Sequence, residues 1–554
     1  MIKAKVLPFV ALVFSQSLLA QQPPNAGSQL QQIPPSPISQ RQAPAIRIVP
    51  SADAQATGES AKITVQSLTV TGVTIYSPGE MVAQTGFKPG SELTLSDLRA
   101  MATEITRRYR SDGYFVAQAY VPEQDIVNGA VTIAVVEGQY GQVVVHNNGQ
   151  IPDDIVYGKL AGISSGDPIV IGPLESRLLL LSDLPGVKVS ATLAPGAKVG
   201  ASDLIVDLSP GQPVTGSIDV DNAGNRYTGE YRLGATVNLN NLAGRGDVAS
   251  LRAMTSGPGL KYARASYQMP FGKATGGVAY SWLGYRLGQE FEPLGAQGTA
   301  TVASVYGSYP LIRSRENNLT TQVQFENRTF QDRMDSTASV VDKSAQVLMA
   351  SLRGDHWDSL GGRGQTSYAL TASAGNLDIK TAAMRDLDAA TAKTQGQYSK
   401  VAYSLSRTQG LTESLSLYAG INGQFASKNL DTSEKMELGG MNAVRAYPEG
   451  EAYADEGYVL TLEARVLLPK FSQQQPGDVH LIGFVDTGSV TVNKQPWAAG
   501  DNQRTLSGAG VGLTWSEYNN FLLRVYYART LGSEVAASAP DKSGRVWFQA
   551  VKYF

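Results

Sequence analysis

The chain has 554 residues, 46 Lys and Arg against 48 Asp and Glu, 17% charged residues and no cysteine, which excludes a disulfide scaffold, a thiolate nucleophile and a cysteine-based metal site. Its three histidines, His146, His356 and His480, are too scattered for a ligand cluster, and a net charge of −2 leaves no footprint for nucleic acid; no metal or cofactor is expected. Charge is low, Gly (57) and Tyr (25) are abundant, and no apolar run approaches the roughly 20 residues of a spanning helix, so any crossing of a bilayer must use strands.

Lys3 and Lys5 precede an apolar stretch, Val6 to Leu19, broken only by Ser15, Gln16 and Ser17 and ending at Ala20. Residues 1–20 therefore read as a secretory signal peptide. Residues 21–61, rich in Gln, Pro, Ser and Ala, hold too little apolar content for a core and read as a flexible linker, with a short helix around Ser28 to Gln32 only weakly signalled.

Order starts at Lys62, where KITVQSLTV alternates as a strand. After SPGEMVAQTG, the segment TLSDLRAMATEITRRYRSDGY sets Leu95, Leu98, Met101, Ile105 and Tyr109 at helical spacing, capped by Thr94 or Ser96 and closed by Gly113. FVAQAYV and AVTIAVVEG follow as strands. Residues 62–140 thus read as strand, helix, helix, strand, strand. The pattern recurs over 141–212, from GQVVVHNNG through IPDDIVYGKLAG and PLESRLLLLSDL to VKVSATLAPG and SDLIVDLSPG, giving two consecutive α/β modules of about 75 residues each.

From 213 to 554 the helical signal gives way to alternation. Tyr231, Leu233, Ala235, Val237 and Leu239 face one way while Arg232, Thr236 and Asn238 face the other, and Leu415 to Phe425 and Tyr458 to Val466 behave alike. Apolar faces opposed by charged ones fit a barrel with lipid outside and water inside. About sixteen such runs begin near 214, 229, 246, 259, 275, 299, 317, 341, 364, 396, 413, 457, 478, 506, 520 and 545, an even number as bacterial barrels require. Short connections at 241–245, 270–274, 310–316, 408–412 and 516–519 contrast with long ones at 287–298, 376–395, 427–456 and 490–505. That asymmetry is the outer-membrane arrangement, with short turns in the periplasm.

Two motifs suggest chemistry and fail on context. Gly162 to Gly166 matches the G-x-S-x-G elbow, but Ser164 lies between a helix and Asp167-Pro168 rather than between a strand and a helix. Asp219, Asp221, Gly224 and Glu230 sit at calcium-loop positions, yet Ala223 takes a ligand position and the flanks alternate like strands, so a hairpin explains them better.

The runs GYFVAQAYVPEQDIVNGAVTIAVVEG, LLLLSDLPGVKVSATLAPGAKVGASDLIVDLSPG and DNAGNRYTGEYRLGATVNLNNLAGRGD, with VRAYPEG (Val444 to Gly450) and GFVDTGSV (Gly483 to Val490), resemble the outer-membrane transporters of two-partner secretion, the haemolysin secretion/activation family. The resemblance covers nearly everything from Lys62 to Phe554. It implies two periplasmic POTRA modules (62–140 and 141–212) ahead of a 16-stranded antiparallel barrel (213–554) in the outer membrane of a Gram-negative bacterium, with 21–61 as a linker that can hold a plug segment. No enzyme activity is implied. The implied function is a pore that recognises one large unfolded partner, an adhesin, haemolysin or toxin, as an extended chain and exports it, with or without activating it. Outer-membrane lipid and the barrel assembly machinery are its other partners, nucleic acid is not, and the pore acts as a monomer. The alternatives are an insertase for other barrels and a plain diffusion porin.

Parity along HLIGFVDTG turns Asp486 toward the lumen, since a charge facing lipid costs several kcal/mol near the midplane. The resemblance folds loop 427–456 into that lumen with Arg445 reaching the wall near Asp486. Val444, Arg445, Ala446 and Tyr447 on the loop, with Phe484, Asp486 and Gly488 on the strand, then form a latch; a static salt bridge is the alternative reading, and Glu463 is a competing inward carboxylate. Ala446 stands where the family usually has Gly, which raises the question of strain at the loop tip.

Overall fold

The computed structural model describes residues 23–37, 44–48 and 61–554; the expected signal peptide lies outside the described residues. The first α/β unit contains β2 (Ile63–Val65), β3 (Ser67–Thr71), α2 (Pro78–Gln84), β4 (Ser91–Leu93), α3 (Leu95–Ser111), β5 (Gln118–Tyr120) and β6 (Ala130–Val136); β1, which precedes them in the chain, belongs to the second unit. Both helices start in capping boxes, Ser77 with Glu80 and Thr94 with Asp97, which satisfy the first free N–H groups. Leu98, Ile105 and Tyr109 of α3 are buried with Leu68, Val70 and Ile133 of the sheet β3-β6-β5. The second unit runs β7 (Gln139–Asn147), α4 (Asp153–Leu160), α5 (Ile171–Ser182), β8 (Val187–Pro195) and β9 (Ala201–Pro210), with Leu174, Leu178 and Leu181 of α5 packed on Leu193, Leu204 and Val206. Ser164 joins α4 to α5, and its main-chain N–H donates to Asp167 in a local turn.

One edge of the second sheet is extended by a strand from outside the unit. β1 (Ala45–Ile48), from the amino-terminal segment, adds in parallel to β8, with Ala45 opposite Ser190 and Ile48 opposite Leu193. In the first unit β5 covers only Ala134 to Val136 of β6. Beyond it the Gln124 side-chain amide donates to Thr132 O (2.8 Å) and accepts from Thr132 N (2.7 Å), imitating the missing strand at one rung.

From Val214 the chain forms a closed barrel of sixteen antiparallel strands in sequence order, the last (Gly544–Tyr553) pairing with the first (Val214–Asp221). Every strand begins within three residues of the position expected from alternation. Alternation has the expected physical result: Leu233 is 50% exposed on the outside while neighbouring Arg232 is 7% exposed inside. On Asn317–Met334 the outward residues change from Leu319, Val323 and Phe325 to Asn327, Thr329, Gln331 and Arg333. The lipid belt therefore ends near Phe325, since about 9–11 residues suffice to cross, and this strand continues with Ser339–Asp358 as a collar beyond the membrane. Asp219 and Asp221 are strand residues paired with Arg252 (3.0 Å) and Arg232 (2.8 Å), not calcium ligands. Two features escaped the alternation pattern: a helix, α6 (Ala382–Ala390), within a long loop, and a further long connection between Phe521–Thr530 and Gly544–Tyr553.

The second α/β unit is clamped to the barrel rim. Arg313 donates from Nε and Nη2 to both Asp183 oxygens at 2.8 Å. Arg315 meets Glu175 at 2.8 Å and also donates to Pro44 O just before β1, so one turn of the barrel holds both α5 and the segment leading into β1.

Candidate functional site: the occupied lumen

Two elements fill the barrel interior. The first is loop 427–455, which follows Leu415–Ala426 and returns at Glu456–Leu467. Its limbs pair as a two-residue ladder, Met436 with Ala454 and Glu437 with Tyr453, and its tip bends sharply enough to place Gly439 beside Val444. Val444, Ala446 and Tyr447 are buried with Leu438, Phe484, Tyr526 and Trp547.

Arg445, 4% exposed, is the centre of this packing. Nε and Nη2 donate to the two Asp486 oxygens at 2.8 Å each, the bidentate geometry that suits a guanidinium, and Nη1 meets Glu463 Oε1 at 2.8 Å. Asp486 also accepts from the Arg445 main-chain N (3.2 Å) and from Thr461 Oγ1 (3.0 Å). Arg465 holds the other Glu463 oxygen at 2.7 Å, so two cations face two carboxylates. The guanidinium lies 3.5 Å from the Phe484 ring centroid and 5.0 Å from that of Tyr526, a stacked arrangement that strengthens when desolvated. Trp547 Nε1 donates to Arg445 O at 2.6 Å, and Tyr447 OH donates to Glu534 O at 3.0 Å in the outer loop before the last strand. Asp486 and Glu463 are thus simultaneous partners of Arg445 rather than alternatives.

Small residues make this fit. A Cβ at Gly488 would overlap Leu438, and one at Gly508 would overlap Ala446. Ala446 is absent from the left-handed backbone positions, so its methyl causes no strain of that kind and lies over Gly508 instead. Further ion pairs tie the loop to the wall: Lys343 with Asp431 (2.7 Å), Lys400 with Glu434 (2.9 Å) and Arg504 with Glu451; Lys435 with Asp455 (2.9 Å) braces the loop internally. These loop residues carry no sequence signal beyond being charged.

The second element is α1 (Ala26–Gln31), started by a reciprocal capping box between Asn25 and Ser28. It packs against the strands Ala274–Arg286, Ala296–Arg313 and Asn317–Met334 and the loop, with Ala26 among Tyr285, Leu283 and Leu430. Ala26 N donates to Asp332 (2.8 Å), Thr228 Oγ1 donates to Gln29 (2.7 Å), Arg232 donates to Gln32 O (2.9 Å), and Gln32 Nε2 donates to Tyr453 OH (2.6 Å) and Glu437 (3.2 Å). Asp332 lies in the collar, so α1 sits at the outer mouth.

Comparison with known proteins decides the identity. The model of the haemolysin secretion/activation protein family ShlB/FhaC/HecB matches residues 200–515, and that of the ShlB-type POTRA domain matches 63–138. The chain belongs to this family. The heme/hemopexin transporter protein HuxB of Haemophilus influenzae is 32% identical over 471 residues, 84% of this chain and 82% of that protein. The solved structure of CdiB from Escherichia coli superposes with a TM-score of 0.67 over 91% of this chain and 93% of that one at 21% identity. BamA from Haemophilus ducreyi lacking POTRA domains 1–3 gives 0.56 over 89% of this chain and all of that one at 13% identity, a likeness of fold alone. The protein is accordingly an outer-membrane transporter of two-partner secretion, with its POTRA modules in the periplasm, and the insertase reading is the less supported.

Proposed function

We propose that this transporter receives one large secreted protein as an extended chain on its POTRA modules, bounded at 62–140 and 141–212, and passes it through a lumen that α1 plugs and loop 427–455 gates. The observation carrying the reading is β1, a strand of the same chain already added to the β8 edge: that edge accepts an extended segment through backbone hydrogen bonds with little demand on sequence, and a partner strand takes it by exchange. The Arg445–Asp486–Glu463 cluster is the latch of the gate, formed by Val444 to Tyr447 against Phe484, Asp486 and Gly488. Relatives transport heme/hemopexin or haemolysin by name; an adhesin, haemolysin or toxin is the class of cargo. Residues 1–20 direct export, lipid and the barrel assembly machinery are the other partners, one copy forms the pore, and no catalytic step is assigned. Folding of the cargo outside the cell makes transport directional.

The test is deletion in the native host followed by mass spectrometry of secreted and outer-membrane proteins. Loss of one large exported protein, restored by the intact chain, supports the reading. A general fall in outer-membrane barrels instead identifies an insertase.

A further inference from the structure

On two neighbouring strands the lipid-facing surface ends in cations that no carboxylate neutralises. Leu260–Phe271 descends to the short periplasmic turn at 272–273, and Ala274–Arg286 climbs back from it. Leu260, Tyr262, Leu283 and Tyr285 are buried on the inside, so the residues of opposite parity face lipid. On the first strand Lys261 and Phe271 are ten residues apart with only Ala263, Ala265, Tyr267 and Met269 facing outward between them, and about 9–11 residues cross a bilayer. Lys261 therefore stands at the outer boundary of the lipid belt. Trp282, exposed and opposite Ala263, marks the same level, since an indole favours the boundary between acyl chains and head groups.

Above Trp282 comes Gly284, opposite Lys261, and then Arg286. This register sets the two cations on a diagonal, roughly 7–8 Å apart at the backbone. Gly284 puts no side chain between them, and a Cβ there would overlap the Trp282 ring, which lies over it. Both cations are exposed. The Lys261 side chain has no hydrogen-bond or ion-pair partner among the described residues, and the Arg286 guanidinium reaches only Gln297 Oε1, at 3.4 Å. Other outward cations differ: Arg333 is paired with Asp335 at 2.6 Å and Arg407 with Asp358 at 2.8 Å. In the loop after Arg286, Glu290 is paired with Arg226. The turn before Lys261, 256–259, is too short to fold over it.

Two like charges this close, beside a medium of low dielectric, favour one shared anion of double charge. A phosphate monoester carries about −1.5 to −2 at pH 7. In the outer leaflet of a Gram-negative outer membrane such groups sit on the glucosamines of lipopolysaccharide, directly above its acyl chains. We propose that Lys261 and Arg286 bind a glucosamine phosphate of lipopolysaccharide, with the acyl chains on the apolar face below Trp282. This deepens the reading of outer-membrane lipid as a partner, and it rests on the barrel's place in that membrane, independently of the plug and the latch.

The test is native mass spectrometry of the full-length protein in detergent, titrated with diphosphoryl lipid A and, separately, with phosphatidylglycerol, whose phosphodiester carries a single charge. Expected is one tightly held lipid A, weaker binding of phosphatidylglycerol, and a loss of lipid A affinity of about thirtyfold in Lys261→Gln/Arg286→Gln. If the double variant fails to fold, each single variant should lose about fivefold. Arg529→Gln is the control: Arg529 is exposed and outward too, but it stands alone between Ala509 and Gly544, and its loss should leave lipid A binding unchanged. Unchanged binding in the Lys261 and Arg286 variants overturns the proposal, as does an equal loss in Arg529→Gln, which would mean attraction to the charge of the whole barrel. Equal binding of phosphatidylglycerol would make this a site for any anionic lipid, and displacement of lipid A by inorganic phosphate at equal concentration a site for the free ion; either result overturns the assignment to lipopolysaccharide. Cargo export, read by deletion in the host, stands or falls separately.

Discussion

The two occupants of the lumen are held in opposite ways. The loop is fixed by buried charge: Arg445 between Asp486 and Glu463, with Lys343, Lys400 and Arg504 each ion-paired to a loop carboxylate. Helix α1 carries no charged residue and is held by hydrogen bonds through Gln29, Gln32 and the main chain. Removing one partner of a buried ion pair strands the other charge, at about 3–5 kcal/mol, whereas each hydrogen bond of the helix contributes about 1 kcal/mol, rising to about 1.5–3 where Asp332, Arg232 or Glu437 is the partner. On the proposed reading, the helix leaves first and the loop stays until something larger acts on it.

Arg445→Ala breaks the comparison most severely. It leaves Asp486 and Glu463 facing each other in a buried site, with only Arg465 near one of them, and should cost about 3–5 kcal/mol. The expected result is a lower midpoint of barrel unfolding by heat, together with loss of cargo from the medium. Arg445→Lys should rescue only in part, because an ammonium cannot reproduce the fork to Asp486 or the stacking on Phe484. Wild-type stability in Arg445→Ala would remove the distinction between a loop fixed by charge and a helix that carries none.

The next effect concerns the close contact under the loop tip. Gly508→Ala places a methyl where Ala446 already sits, and overpacking of this kind costs about 1–3 kcal/mol. Ala446→Gly alone should change little, and in the double variant it should recover most of the loss at Gly508. Thermal unfolding of the four proteins closes the cycle; additive effects would mean that the two residues do not touch.

Much of this was legible because the barrel wall is periodic. A residue such as Leu233 must face lipid and Arg232 must not, so parity locates strands to within a few residues, and the same parity turns Asp486 inward. The lumen contents obey no period. Loop 427–455 folds through contacts between residues far apart in sequence, so neither the Gln32–Glu437 hydrogen bond nor the wall partners of Asp431 and Glu434 can be read from spacing. The helix α1 is shorter than most isolated helices that hold in water, and its buried residues include Ser28 and Gln29, which look like linker composition. Its one local signal is the Asn25 and Ser28 capping box. The β1 strand was equally hidden, because four residues within a Pro- and Gln-rich stretch gain their conformation from β8 rather than from their own pattern.

Gln32→Ala sharpens the comparison from its weak side. The substitution removes the donor to Tyr453 and Glu437 but keeps the main-chain oxygen that Arg232 holds, so the carboxyl end of α1 loses its link to the loop, while the Asn25–Thr432 contact and the link to the wall remain. A loss of about 1 kcal/mol should leave barrel unfolding almost unchanged while raising the open probability in planar bilayers about fivefold. Stability and gating separate here because the helix contributes little to the barrel yet stands in its mouth. If Gln32→Ala instead lowered the unfolding midpoint as far as Arg445→Ala, the helix would be as much a structural element as the loop, and the order in which the lumen clears would have to be reversed.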